Sequence, residues 1–67
     1  GAATVVAARP AHPKEDLFVT IAGEGKARII GVKGNGRLVK IDYQFIANGQ
    51  KRFNKLFRPN TMTLSVD

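Results

Sequence analysis

Nine of the eleven lysines and arginines of this 67-residue chain lie between residues 26 and 58, where Asp42 is the only acid. That segment carries a formal charge of +8, whereas the rest of the chain carries −2. A field of one sign attracts polyanions, and Lys and Arg side chains neutralise the phosphates of nucleic acids. The pattern predicts contacts to DNA or RNA by ten residues, nine of them basic and one aromatic: Lys26, Arg28, Lys33, Arg37, Lys40, Tyr43, Lys51, Arg52, Lys55 and Arg58.

Four of the five aromatic residues, Tyr43, Phe45, Phe53 and Phe57, lie in the same segment. Exposed rings could stack on bases, but a small protein without tryptophan needs most of its rings for the core. We therefore expect about three of these four rings to be buried. Tyr43 is the ring expected to keep an exposed edge, with Phe18 as the other candidate for exposure.

The side chains needed for catalysis are scarce. The only histidine is His12, next to Pro13, the only serine is Ser65, and there is no cysteine. No acid stands at a useful spacing from a base or a metal ligand. The sequence therefore predicts a protein that is not an enzyme and that has neither metal nor cofactor.

Five short segments have the alternation of β-strands, and none has a helical period. Residues 1–16, with Pro10 and Pro13, are expected to form a flexible arm or linker before a small β-domain at residues 17–67. Glycine-rich turns separate the segments. The predicted strands span residues 17–22, 26–32, 37–46, 51–57 and 62–66.

The turn at Ala47–Gly49 allows a prediction of strand register. With Gly49 in the left-handed conformation, Tyr43 would lie opposite Phe53 and Ile41 opposite Lys55. The other face would then pair Gln44 with Arg52, Asp42 with Asn54 and Lys40 with Leu56. This register separates rings from polar groups, whereas a shift of one residue would mix them.

Five strands in about fifty residues resemble a small SH3-like barrel, and less closely an OB-like or Sm-like barrel. The Sm-like resemblance rests on "GRLVKIDYQF" (residues 36–45) and "LFRPNTM" (residues 56–62), while Ile46 and Pro59 depart from that family's pattern. It implies that Asp42 and Arg58 line a base pocket in an oligomeric ring. The predicted class is all-β.

Other partners stay open. A protein-interaction or dimerisation module of SH3 or Tudor type is the alternative, and an edge strand could form a homo-oligomer. No segment is long and apolar enough for a membrane span, so we expect no membrane partner and an intracellular location, cytoplasmic or nucleoid-associated. Because the chain starts at Gly1, we expect a domain of a larger protein or a tag remnant at Gly1-Ala2.

Overall fold

Residues 12–35 and 38–65 are described by a computed structural model, in which they form one antiparallel sheet of five strands. The order across the sheet is β4-β3-β2-β1-β5. The predicted all-β class is confirmed, and no helix occurs in the described ranges. The strands are β1 (Phe18–Ile21), β2 (Gly25–Asn35), β3 (Leu38–Phe45), β4 (Lys51–Leu56) and β5 (Met62–Ser65).

The two ends of the sheet are β4 and β5. Within the described residues, no backbone ladder joins them. The hydrogen-bonded sheet is therefore open, and its closure into a barrel stays a prediction.

One face of the sheet carries the hydrophobic core. Strand alternation sends every second side chain to this core face, and the others point to the opposite side, here called the outer face. Leu17, Val39 and Phe57 are partly buried against the core. Its buried members come from four strands: Val19, Ile21, Ala27, Ile29, Ile41, Tyr43, Phe45, Met62 and Leu64.

The chain just before β1 lies against β2. The Asp16 amide donates to the Ile29 carbonyl at 2.9 Å, and the Ile29 amide donates to the Leu17 carbonyl at 2.8 Å. Pro13 is buried. Residues 1–11, the larger part of the predicted arm, lie outside the described residues.

The β3–β4 turn has the glycine conformation expected from the sequence. Gly49 has φ of 72°, its amide donates to the Phe45 carbonyl at 2.9 Å, and the Phe45 amide donates to the Gln50 carbonyl at 2.8 Å. A positive φ of this size strains most residues but not glycine. Phe45 thus faces Gln50, and the turn spans residues 46–49, one residue more than the predicted Ala47–Gly49.

The predicted β3–β4 register is right at one end of the pair and wrong at the other. Lys40 lies opposite Leu56 and Ile41 opposite Lys55, as expected. Tyr43, however, lies opposite Arg52 rather than Phe53, and Gln44 opposite Lys51 rather than Arg52. A β-bulge between these pairs sets two residues, Phe53 and Asn54, against Asp42 alone and shifts the pairing by one.

Two rings differ in exposure from what the sequence predicts. Tyr43 is only 3% exposed and packs edge-to-face on Phe45, with ring centroids 5.4 Å apart, so the expectation of an exposed Tyr43 edge is wrong. Phe53, predicted to pair with Tyr43 on the core face, is 57% exposed. Two of the four rings, Tyr43 and Phe45, are buried rather than the expected three, and Phe57 is partly buried against the core.

The burial of Tyr43 has a spectroscopic consequence, because Tyr43 is the only tyrosine. Burial and the nearby Glu24 carboxylate raise its pKa above the ordinary value of 10.0, against an opposing effect of Arg52. We expect tyrosinate absorbance to rise at higher pH in the native protein than in the urea-unfolded chain. Since the unfolded chain loses the proton first, stability should fall as pH rises above about 10. Equal midpoints would contradict a buried ring.

Candidate nucleic-acid interface

A row of side chains crosses the outer face from one edge of the sheet to the other. Directly paired residues of antiparallel strands point to the same side. Ser65 pairs with Phe18, Phe18 with Arg28, Arg28 with Gln44, and Gln44 with Lys51. Arg28 and Lys51 therefore share this face.

Three more lysines lie on the same face. Lys26 pairs with Thr20, which alternates with the buried Val19 and Ile21. Lys33 pairs with Lys40, and Lys40 pairs with Leu56. Five of the ten predicted residues are thus brought to one face by three adjacent strands: Lys26, Arg28, Lys33, Lys40 and Lys51.

Acids compensate only part of this charge. The Arg28 Nη1 atom lies 2.8 Å from Asp16 Oδ1 in an exposed ion pair, and Lys33 Nζ lies 3.1 Å from Asp42 Oδ2. Lys40 and Lys51 are exposed and form no ion pair with any described residue. These two side chains are the most available to an external anion.

The carboxylate of Asp42 lies at the centre of the outer face, although the residue is only 8% exposed. Its Oδ1 accepts the Asn54 backbone amide at 2.8 Å and Lys33 Nζ at 3.2 Å. The Lys33 ammonium also donates to Asn54 Oδ1 at 2.6 Å. One buried carboxylate therefore connects β2, β3 and β4.

Gly31 makes room for this carboxylate. A Cβ atom at residue 31 would lie 2.7 Å from Asp42 Oδ2, closer than such atoms approach in folded proteins. The Gly31–Asp42 pair follows a second β-bulge, in which Ile30 is the extra residue of β2. Asp42 is thus flanked by a bulge on each neighbouring strand.

The β2 bulge changes which side chains share a face. Lys26 and Arg28 have even numbers and Lys33 an odd one, so in a regular strand they would point to opposite sides. The extra residue Ile30 reverses the alternation between them. Lys33 is thereby placed on the outer face with Lys26 and Arg28.

The pKa of Asp42 reflects these contacts. The hydrogen bond from the Asn54 amide lowers it below the ordinary value of 3.8, and Lys33 lowers it further, while burial acts in the opposite direction. The balance favours the ionised form. The negative charge that Lys33 and Asn54 need is therefore kept at ordinary pH.

The other predicted residues do not join this face. Arg52 was expected beside Gln44 but points to the core-face side of β4, because the bulge at Phe53–Asn54 shifts the strand by one residue. Lys55 pairs with Ile41 and also lies on that side.

The remaining predicted residues are placed elsewhere. Arg58 follows β4 in the connection to β5, where its carbonyl accepts the Thr61 and Met62 amides. Tyr43 is buried, and Arg37 lies outside the described residues. Because Asp42 is engaged by Lys33 and Asn54, its carboxylate is not presented as the open base pocket that the Sm-like resemblance implied.

Two rings lie near cations: Phe53, which the sequence did not single out, and Phe18, the other ring expected to be exposed, which is half-buried. Phe53 is exposed on β4 between the lysines at 51 and 55. Lys26 Nζ lies 5.6 Å from the centroid of the Phe18 ring on the outer face.

The sequence held one signal for the β4 bulge, which is an asparagine, Asn54, inside an alternating strand. Asparagine tolerates positive φ, and Asn54 has φ of 57°.

Comparisons of the chain with family models, curated proteins and solved structures found no match. Within residues 12–35 and 38–65, no helix is long and apolar enough to cross a membrane. The same residues contain no group of three or more His, Asp or Glu side chains suited to a metal ion.

The contact between Gly31 and Asp42 predicts a specific coupling between two substitutions. Gly31→Ala should destabilise the protein by about 1–3 kcal/mol, because its methyl group would overlap the carboxylate. In an Asp42→Ala background the methyl group has space, and the cost should largely disappear, as measured by urea unfolding of all four proteins. An Asp16→Ala background is the matched control and should leave the full cost. Equal costs in all backgrounds would show that the two residues do not interact.

Proposed function

We propose that this protein is a nucleic-acid-binding module that contacts phosphates through the outer face of its sheet. The observation that carries the proposal is the clustering of five cations from three adjacent strands on one face. Phosphate contacts dominate the affinity of such proteins and need no base sequence. Binding is therefore largely independent of sequence.

The pairing of Lys33 with Lys40 supports an anionic partner. Like charges directly opposite each other on neighbouring strands destabilise a sheet. Lys33 is drawn towards Asp42 and Asn54, but the Lys40 ammonium has no acidic neighbour among the described residues. A bound phosphate would relieve this repulsion.

An exposed ring beside the cations favours single-stranded partners. Phe53 has more than half of its surface exposed and follows Lys51 and Arg52 on the edge strand. Single-stranded DNA or RNA presents unpaired bases that stack on such rings. Every base can stack in this way, so the contact needs no particular sequence. Phe53 takes the stacking role that the sequence had suggested for Tyr43.

In this proposal the protein is a binding module and not an enzyme, and it works without cofactor or membrane. Its partner places it inside the cell, in the cytoplasm or with the nucleoid. Residues 17–67 form the binding domain.

A second candidate is a protein-interaction or dimerisation module, and the open edge strand β4 favours it. Edge strands present unpaired backbone groups to other chains. Phe53 is exposed on this edge. The positive φ of Asn54 disturbs the regular edge, however, and such bulges are a common way to prevent pairing. We therefore rank this candidate second.

The phosphate contacts predict how affinity depends on salt. If roughly four to six cations neutralise phosphates, log K should fall with log salt at a slope of about −3 to −5. Lys40→Glu and Lys51→Glu should each weaken binding to every sequence and flatten the slope by about one. Fluorescence anisotropy of labelled single- and double-stranded oligonucleotides measures both quantities.

Lys55→Glu is the matched control for Lys51→Glu. Both variants make the same charge change on β4, but Lys55 lies on the core-face side of the sheet. Lys55→Glu should flatten the slope less than Lys51→Glu. If no DNA or RNA binds below about 100 μM at 50 mM salt, the weak end of non-specific affinity, the proposed function is wrong. If binding persists and all three variants are equal, the outer face is not the contact surface.

A further inference from the structure

An open cleft of about 370 Å³ lies at one end of the sheet, between the turn before β2 and the β3–β4 turn. The two turns are connected, because the Ile46 amide donates to the Lys26 carbonyl at 3.1 Å. The β3–β4 turn is itself closed by the hydrogen bonds at Phe45, Gly49 and Gln50. The cleft is therefore preformed, as small-molecule sites usually are, and its volume lies within their range of roughly 300–1,000 Å³.

Arg52 is held in this cleft from two sides. The central carbon of its guanidinium lies 5.4 Å from the centroid of the Phe45 ring, and its Nη2 lies 3.8 Å from Glu24 Oε1. About a third of the side chain, 31%, remains exposed. A guanidinium held in this way has already lost much of its conformational freedom before a ligand arrives.

The rest of the lining combines apolar and polar groups. Ile46 is 55% exposed and, with Ala47, contributes an apolar wall. Gln50 and Glu24 contribute hydrogen-bonding groups. Lys26 belongs both to this cleft and to the outer face, so the two surfaces are continuous.

We infer that this cleft binds one nucleobase of a single-stranded nucleic acid, stacked on the Arg52 guanidinium and packed against Ile46. The inference rests on the proposed function and adds a base-binding position to its phosphate contacts. Unpaired bases stack on arginine planes as well as on aromatic rings, and their polar edges are read by side chains. The adjoining phosphate would lie on the Lys26 side, towards the outer face.

The composition of the cleft favours a base over a bare phosphate. A phosphate would leave the apolar wall at Ile46 unused, and the Glu24 carboxylate would repel it. The same carboxylate can accept an N–H of a base, as acidic side chains do for the amino group of cytosine. A planar, mostly uncharged ring with N–H donors fits this lining, and an anion alone does not.

The test is a chemical-shift titration of the isotope-labelled protein with adenosine and cytidine monophosphates, and with inorganic phosphate at equal ionic strength. The nucleotides should shift the amides of Ile46, Ala47 and Lys26, whereas inorganic phosphate, which reaches Lys26 from the outer face, should leave Ile46 and Ala47 unshifted. Arg52→Lys keeps the charge but loses the plane, and should weaken nucleotide binding by at least about fivefold, the lower limit of a base-stacking contact. Lys55→Met, on the same strand but outside the cleft, is the control and should leave the affinity unchanged.

Ile46→Ala provides a second variant that alters only an exposed wall, and it should weaken nucleotide binding without lowering the unfolding temperature. Equal shifts from phosphate and nucleotide, or wild-type affinity in both Arg52→Lys and Ile46→Ala, would overturn the cleft assignment. If oligonucleotides still bind the protein when the cleft assignment fails, the proposed function remains supported. Nucleotide binding in the cleft with no oligonucleotide binding would support the cleft and overturn the proposed function.

Discussion

The ionised carboxylate of Asp42 is the interaction on which the outer face depends. It holds the Asn54 amide of β4 and the Lys33 ammonium of β2, and it occupies the space that a side chain at residue 31 would need. Both neighbouring strands bulge at this point. Burying an ionised carboxylate without such partners would cost free energy of folding. The charge of Asp42 therefore depends on the bulges that bring its partners close, and the bulges depend on that charge.

This local arrangement determines which side chains are available for binding. The β2 bulge brings Lys33 to the same side as Lys26 and Arg28, and the β4 bulge sends Arg52 to the opposite side. The first effect concentrates positive charge on the outer face. The second places a guanidinium over Phe45, in the cleft at the end of the sheet. The phosphate contacts proposed for one surface and the base contact inferred for the adjoining one thus depend on the same irregularities.

The sequence was sufficient to predict five strands, because alternation and glycine turns are local signals, but β2 continues to Asn35, beyond its predicted end at residue 32. The core positions of β3 and the left-handed Gly49 followed from the same reasoning. The register between Asp42 and the β3–β4 turn could not be predicted in the same way, because a bulge changes the pairing without changing the alternation on either side of it. Tyr43 was expected to be partly exposed, but it is buried with Ile41 and Phe45 on the core face of β3. Phe53 was expected in the core, and the bulge leaves it exposed. Two residues in the sequence were signals for the bulges: Gly31 inside a β-branched run and Asn54 inside an alternating one. Their role is evident only from their contacts with Asp42 in the structure.

The most direct test of this account is an NMR titration of the Asp42 side-chain carboxyl, followed together with the Asn54 amide proton that it accepts. A carboxylate held ionised by these bonds should have a pKa below the ordinary value of 3.8, and the Asn54 amide should shift over the same pH range. Because the native pKa is lower than the unfolded one, the unfolded chain binds the proton first, so stability should be lost as pH falls through the native midpoint. A midpoint at or above 3.8, or an Asn54 amide that does not follow the carboxyl, would contradict the claim that an ionised Asp42 holds the two bulges.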